Sequence, residues 1–330
     1  MDNPTFLTLL EKAIESRSPL FEQAHRSAFR LFHGFREGEP DLVIDLYAST
    51  LVFHNYAEDP VHGLALVQQA KDFLVSQYPW LGAGIIKTRV GKTQEERRGR
   101  LLFGGEPDRR IQENNVWYAI DLTMNRDASF YLDTRNLRQW LKENTKGQNV
   151  LNTFAYTGSL GVAAAAGGAA RVVQLDRTRK FLNLAKESHA LNGFPIQDGD
   201  LIASDFFPAT ARFKQNGEQF DAVIMDPPFF STTSKGTVDQ VNESARLINK
   251  VRPLIKDGGT LVAINNALYV SGQEYMQTLE SLCSDGYLSI RELIAVPEDM
   301  TGYHQVLPPL TDPSPFNHST KIAILDVKRK

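Results

Sequence analysis

From residue 126 onward, short apolar runs alternate with longer segments of helical spacing, and this alternation constrains the fold more than any other feature of the chain. QNVLNTFAY, RVVQLD, FDAVIMD and GTLVAIN read as strands, with an extended piece at 201–204 and closing strands in YLSIRELIAV and TKIAILDV. Helices are expected over 159–168, 178–192, 238–255 and 273–285. Strands that are apolar on both faces must be covered on both faces, which implies a largely parallel sheet between two helical layers. Ligands of such sheets sit outside the carboxyl ends of the strands, so those ends carry the functional information.

The preceding region has a different pattern. FRLFHGF, DLVIDLY, TLVFHNY, GIIKTR, RLLFGG and VWYAIDL are short alternating or apolar segments punctuated by GEPD and GGEP, with helices in PTFLTLLEKAIESR and GLALVQQAKDFLVSQY. This is the pattern of a small α+β domain rich in antiparallel pairs. It ends near Asn125, giving an expected division into 1–125 and 126–330. A chain of 330 residues with 42% hydrophobic and 23% charged residues suits two soluble domains. No apolar run approaches the ~18 residues of a membrane span, and MDNPTFLTLLEK lacks a basic segment leading into a long apolar one. A cytoplasmic protein without membrane contact is expected.

The net charge of −3 is not the footprint of a general nucleic-acid binder. Residues 87–110, however, hold eight Lys or Arg against four Asp or Glu. Either this is a solvated face of mixed sign, or it contacts phosphates.

At the strand ends, FAYTGSLG places Gly158 and Gly161 in a strand-to-helix turn, where a ligand can approach the backbone and free helix amides can bind it. RVVQLD ends on Asp176, eighteen residues after Gly158, a position suited to ribose hydroxyls. Asp205 with Phe206, and then Asp226, follow at the next two ends. Any one of these acids could be a turn or cap residue; three in succession, two beside aromatics, point to one shared site. In DPPFF, Pro227 and Pro228 fix their backbone angles, Asp226 and a nearby carbonyl can accept hydrogen bonds from a nitrogen, and Phe229 can present its face to a planar ring. Stacking on a base contributes about 1–3 kcal/mol. A nicotinamide enzyme would use the glycine turn and Asp176 but has no use for the double proline. Upstream, Asp133 or Thr134 can cap a helix with Leu137, Trp140 and Leu141 on its apolar face.

VLNTFAYTGSLGVAAAAGGAARVVQLD, a helix ending in LNG, and DPPFFS together resemble the class I S-adenosylmethionine-dependent methyltransferases, specifically the large-subunit (23S) ribosomal RNA methyltransferase I and K group. ASFYLDTRNLRQWL and, more faintly, LFHGFREGEPDLVIDLYASTLVFHNY extend the likeness to roughly residues 26–327. The resemblance implies an α/β fold: a Rossmann-like methyltransferase domain with a mostly parallel seven-stranded sheet, beside a smaller N-terminal α+β domain for substrate recognition. It implies S-adenosyl-L-methionine as cofactor and no metal. Tyr131, Asp133 and Arg135 would flank the cofactor; Phe154, Tyr156, Thr157, Gly158 and Ser159 would line its methionine end, Asp176 its ribose, and Asp205 with Phe206 its adenine. Asp226, Pro227, Pro228 and Phe229 would face the acceptor, with Asn265 or Asn266 at its edge.

Two departures shape the expectation. Members of that group that methylate carbon 5 of cytosine carry a nucleophilic cysteine at the end of the strand after DPP, where this chain has Asn265 and Asn266. The one cysteine, Cys283, shares an apolar helix face with Met276 and Leu279 and reads as core. The resemblance therefore favours a nitrogen acceptor, guanine in large-subunit rRNA. Many relatives also begin with an additional small RNA-binding domain, and only about 25 residues precede the shared region here; RNA recognition then falls to the α+β domain, to 87–110 or to a partner. A homodimer stays open. So do a methyltransferase of a protein amide or small molecule, and an RNA-binding factor that keeps the fold without catalysis.

Overall fold

The computed structural model describes residues 5–329; the start of the chain read above for targeting signals, 1–4, lies outside them. The chain divides into two compact units, Met1–Leu132 with Pro297–Pro309, and Asp133–Val296 with Leu310–Lys330. The crossing follows Leu132 and not the expected Asn125, because the connecting segment is pinned to the first unit. Lys87 Nζ donates to the Asn125 carbonyl at 2.9 Å, and the Tyr47 hydroxyl donates to that of Phe130 at 3.1 Å.

In the first unit, α1 (Phe6–Ser16) begins where the Thr5 hydroxyl accepts from the Thr8 amide. A five-stranded sheet follows in the order β1 (Ala28–His33), β2 (Leu42–Tyr47), β3 (Thr50–Asn55), β4 (Ala83–Thr88), β5 (Arg100–Gly104), with the short α2 (Gly34–Glu37) after β1. Only β3 and β4 pair in parallel, joined by the crossover helix α3 (Pro60–Gln77). The apolar face buries Phe29, Ile44, Phe53 and Ile86 against Leu10 of α1 and Leu66, Val67, Ala70 and Leu74 of α3. Half-buried Arg30 and buried His54 both meet buried Asp45, with Arg30 Nε 2.8 Å and His54 Nε2 3.1 Å from its carboxylate; burial lowers the His54 pKa, favouring the neutral ring. After β4 a capping box of Thr93 and Glu96 starts α4 (Gln94–Arg98). The hairpin β6 (Arg110–Glu113) and β7 (Val116–Ala119) turns through Asn114 and Asn115, both with positive φ as a tight hairpin turn requires.

The second unit opens with α5 (Arg135–Asn144). Its N-cap is Thr134, whose hydroxyl accepts from Arg138, so neither expected cap side chain bonds the helix amides; Asp133 accepts the Thr320 hydroxyl at 2.7 Å instead. The chain then alternates β8 (Asn149–Thr153), α6 (Ser159–Ala166), β9 (Arg171–Asp176), α7 (Arg179–Asn192), β10 (Leu201–Ala203), α8 (Phe206–Gln215) and β11 (Phe220–Met225). The hairpin β12 (Phe230–Thr233) and β13 (Gly236–Asp239) comes next, then α9 (Ser244–Val251), β14 (Ile255–Asn265), α10 (Gly272–Cys283), β15 (Leu288–Ile294) and β16 (Lys321–Val327). Seven of these strands form one sheet, ordered β10-β9-β8-β11-β14-β16-β15, in which only β16 runs against its neighbours. This is the expected mostly parallel α/β sheet.

The helix expected over 238–255 is shorter than the pattern implied. Residues 230–239 pair as strands, since Thr232, Thr233, Thr237 and Val238 are β-branched residues flanking a Ser-Lys-Gly turn. The Asp239 carboxylate then accepts the amides of Val241 and Asn242, delaying the helix to Ser244. Among the described residues no helix is long and apolar enough to cross a membrane.

Candidate functional site

The sheet order reverses beside β8: β9 and β10 lie to one side, β11 and β14 to the other. A crevice forms at the carboxyl ends where such a reversal occurs. Five chain segments leave the sheet at that edge, beginning at Phe154, Arg177, Ser204, Asp226 and Asn266.

After β8 the backbone is held in an uncommon conformation. Phe154 and Tyr156 have φ of 55° and 52°, the left-handed region that non-glycine residues occupy mainly under functional or packing constraint. Gly158 follows at φ 80° as the N-cap of α6. A Cβ there would lie 2.4 Å from Ala185 Cβ and 2.7 Å from Gln174 Oε1; one at Gly161 would lie 2.6 Å from Gln174. Both glycines thus let α6 settle on β9 and α7, a reason beyond ligand access. Gln174 is itself buried, bonded to Asn152 and His189.

Asp176 closes the turn from β9. Its carboxylate accepts the Tyr156 amide at 2.9 Å and the Thr178 amide at 2.8 Å, while burial pushes its pKa above the ordinary carboxylate value. Each oxygen keeps a lone pair for a further donor. Asp205 caps α8 through the Phe207 amide at 3.1 Å. Phe206 differs from expectation in what it can offer: it is 5% exposed and stacked on Phe154, centroids 4.6 Å apart, so Phe154 is the more accessible ring of the pair.

At the end of β11, Asp226 is half-buried, and its carboxylate accepts no hydrogen bond from the described residues. Burial and the charge of Asp133 push its pKa up to about 7. Pro227 is buried, while Phe229 is 47% and Phe230 57% exposed. The loop is clamped from outside. Gln240, 1% exposed, donates from Nε2 to the Pro227 carbonyl, its Oε1 accepts the Asn266 amide at 2.9 Å, and its own amide donates to the Phe229 carbonyl at 3.1 Å. Asn266 Nδ2 donates to the same Pro227 carbonyl at 3.3 Å.

This geometry corrects the place given to Asn265. It is 1% exposed; its Nδ2 donates to the Gln240 carbonyl and to Ser244 Oγ, and its Oδ1 accepts the Ala267 amide. With both amide hydrogens committed inside the protein, Asn265 supports the loop and has no donor left for a base. Of the upstream residues, Asp133 belongs to the Asp226 neighbourhood, Arg135 is half-buried on α5, and Tyr131, 41% exposed, lies in the first unit.

Several residues at this edge were not legible beforehand: Gln240, Thr320, Tyr275 and Lys321. Tyr275 is buried and pushed above its ordinary pKa by burial and by Asp226. Lys321 is fully buried, lowered to about 8 by burial, and donates to the carbonyls of Ala267 and Ser319. A lysine opening an apolar strand was the only signal. In the first unit, Lys87 is removed from any phosphate-contacting patch: it is buried and donates to the carbonyls of Arg98, Asn125 and Asp127.

The residues present fit an adenosine-containing cofactor, because the strained turn, the half-buried Asp176 carboxylate with free lone pairs and the unpartnered Asp226 carboxylate share one sheet edge. Comparison with known proteins agrees. Residues 29–287 match the family of S-adenosylmethionine-dependent methyltransferases, and the chain belongs to that family. It uses S-adenosyl-L-methionine as cofactor. The ribosomal RNA large subunit methyltransferase I of Aeromonas salmonicida is 33% identical over 233 residues, 70% of this chain and 59% of that protein. The protein of the same name from Aliivibrio fischeri is 30% identical over 268 residues, 79% of this chain and 66% of its own length. Both matches leave at least a third of the relative's length uncovered. The crystal structure of SMU.776, complexed with SAH, superposes with a TM-score of 0.85 at 21% identity, covering 99% of this chain and 83% of that one, and so shares the fold.

Proposed function

We propose that this protein transfers the methyl group of S-adenosyl-L-methionine to a nitrogen of an RNA base, with a ring nitrogen of guanine in large-subunit ribosomal RNA as the favoured acceptor. The names of its relatives support the RNA class. The observation that carries nitrogen is the end of β14, where Asn265 and Asn266 stand in place of a thiol. Cys283 sits on α10 against the core, its thiol pushed up by burial. Methylation of a pyrimidine at carbon 5 requires covalent activation by a nucleophile, for which this edge has no candidate cysteine.

The Pro227 carbonyl supports a ring nitrogen over an exocyclic amine. Gln240 and Asn266 fill its two lone pairs, so this carbonyl has none left to accept the hydrogens of an amino group. A ring nitrogen with a free lone pair needs no second acceptor. The exocyclic variant draws its own support from the Asp226 carboxyl lying near 7, suited to a general base.

When bound, the cofactor supplies an electrophilic methyl group. The chain's residues contribute positioning and exclusion of water. Asp226 would orient the base and Phe229 stack on it, while Pro227 and Pro228 hold both in place. Tyr156, Thr157, Gly158 and Ser159 would hold the methionine end, Asp176 the ribose, and Asp205 with the Phe154–Phe206 pair the adenine. A base inside a helix would first flip out, costing a few kcal/mol. The first unit would recognise substrate, and such a substrate would place the protein in the cytoplasm.

Mapping methylated nucleotides in rRNA from cells with and without the protein tests this reading. Loss of one guanine methylation is expected, and the modified atom separates the two variants. No change anywhere in rRNA overturns it, and label appearing in protein in a methyl-deficient extract would move the acceptor class.

A further inference from the structure

We propose that Arg26, Arg110 and Trp117 form a docking site for the phosphodiester backbone of RNA on the first unit, an inference that rests on RNA being the substrate. The guanidinium of Arg26 lies 5.3 Å from the Trp117 ring centroid and that of Arg110 lies 5.0 Å from it. Both arginines are exposed and Trp117 is half-buried. Among the described residues neither guanidinium forms an ion pair or donates a hydrogen bond, so both keep their planar donor edges free.

The arrangement is held by the backbone. Pairing of β6 with β7 sets Gln112 opposite Trp117, and Arg110, two residues earlier on the same strand, shares that face. The Gln112 amide donates to the Arg26 carbonyl at 2.8 Å, and the Arg26 amide donates to Glu22 Oε1 at 2.7 Å. His25 turns the chain at φ 49°, its ring stacked on Trp80 with centroids 3.9 Å apart. Two guanidinium groups sharing one ring, neither of them ion-paired, repel each other, and an anion reaching both relieves that repulsion. A guanidinium fork matches phosphate with two parallel hydrogen bonds, and two forks beside one indole can serve neighbouring phosphates of a strand. With a chain net charge of −3, attraction for a polyanion has to be local, and this cluster can supply it. Arg26 lies well outside the charged 87–110 segment, and Lys87 within that segment is committed to the core.

The test measures binding of the full chain to large-subunit rRNA fragments by fluorescence polarisation across a range of salt concentrations. For the double variant Arg26→Glu, Arg110→Glu, we expect Kd at low salt to rise tenfold or more. The slope of log K against log salt should become shallower by about 1–2. Cofactor affinity by calorimetry should be unchanged, and the doubly conservative Arg26→Lys, Arg110→Lys should retain most of the affinity and the slope. If the double variant melts early, the single Arg26→Gln and Arg110→Gln changes, each removing one exposed charge, carry the test. Unchanged affinity and slope overturn the proposal, as does a loss seen only with assembled ribosomal particles and not with naked RNA, which would assign the surface to a protein. If the wild-type chain neither binds nor labels RNA, the substrate reading fails instead.

Discussion

Asp133 stands close enough to Asp226 to oppose its ionisation and, added to burial as the larger cause, pushes the Asp226 carboxyl up to about 7. The Thr320 hydroxyl, 2.7 Å from Asp133, fixes one member of the pair. Two carboxyls this close together, one of them at the end of a buried strand, cost stability, and such costs concentrate where a ligand is to be bound.

That cost has a pH signature. The folded pKa of about 7 lies above the unfolded value of about 3.9, so between the two the folded state holds more protons. Stability from this group is complete below about pH 4 and is lost as pH rises through 7. Asp226→Asn should therefore raise the melting temperature more at pH 8 than at pH 5, with a ceiling of roughly 4 kcal/mol. Equal shifts at both pH values would mean the carboxyl is not raised.

Asp226→Ala should lower turnover on the order of a hundredfold while cofactor binding is largely retained, as for other positioned polar groups. Calorimetry with the cofactor and single-turnover methylation measure the two parts. Abolished cofactor binding would move Asp226 from the acceptor side to the donor side.

Gln240→Ala removes the donor to the Pro227 carbonyl and the acceptor for the Asn266 amide. Leaving buried polar groups unpaired costs about 1–3 kcal/mol. Turnover should fall more than cofactor affinity, because the loosened loop is the one proposed to face the acceptor. Chemical denaturation and steady-state kinetics on the same variant check both; full activity would show that the clamp is dispensable.

Gly158→Ala meets Ala185 and Gln174 at less than 3 Å and forces a side chain onto φ 80°. Strain of this kind costs on the order of 1–3 kcal/mol, and the displaced turn should weaken cofactor binding. A thermal melt with and without cofactor reads both effects.

Lys87→Met orphans three backbone carbonyls that the ammonium now satisfies. A loss of at least about 2 kcal/mol is expected. RNA affinity should hardly change once the comparison is made well below the melting temperature; a large fall there, with stability intact, would return Lys87 to the RNA surface.

Much of the second unit was legible in the sequence. Apolar runs of strand length between segments of helical period can be buried only as a covered sheet, which set the architecture. The acids ending RVVQLD and FDAVIMD fell at strand ends because polar residues end a buried run. What the sequence could not give was which side chains those ends would meet. The helix expected from Val238 begins only at Ser244, because Gly236–Asp239 pair with Phe230–Thr233, a partner the helical pattern does not reveal. Asn265 read as a base contact until Ser244 and the Gln240 carbonyl took its hydrogens.

The sequence by itself, then, determined the alternation of sheet strands and helices apart from the 230–239 hairpin, the glycine turn and the acids at its edge, since hydrophobic period and turn chemistry are local properties of the chain. Tertiary structure alone decided the rest: the neighbourhood of Asp133 and Asp226, the closing of the Pro227 carbonyl by Gln240 and Asn266, and the burial of Lys87. Each depends on residues far apart in the chain sharing one place, where desolvation and hydrogen-bond saturation set what a polar group can do.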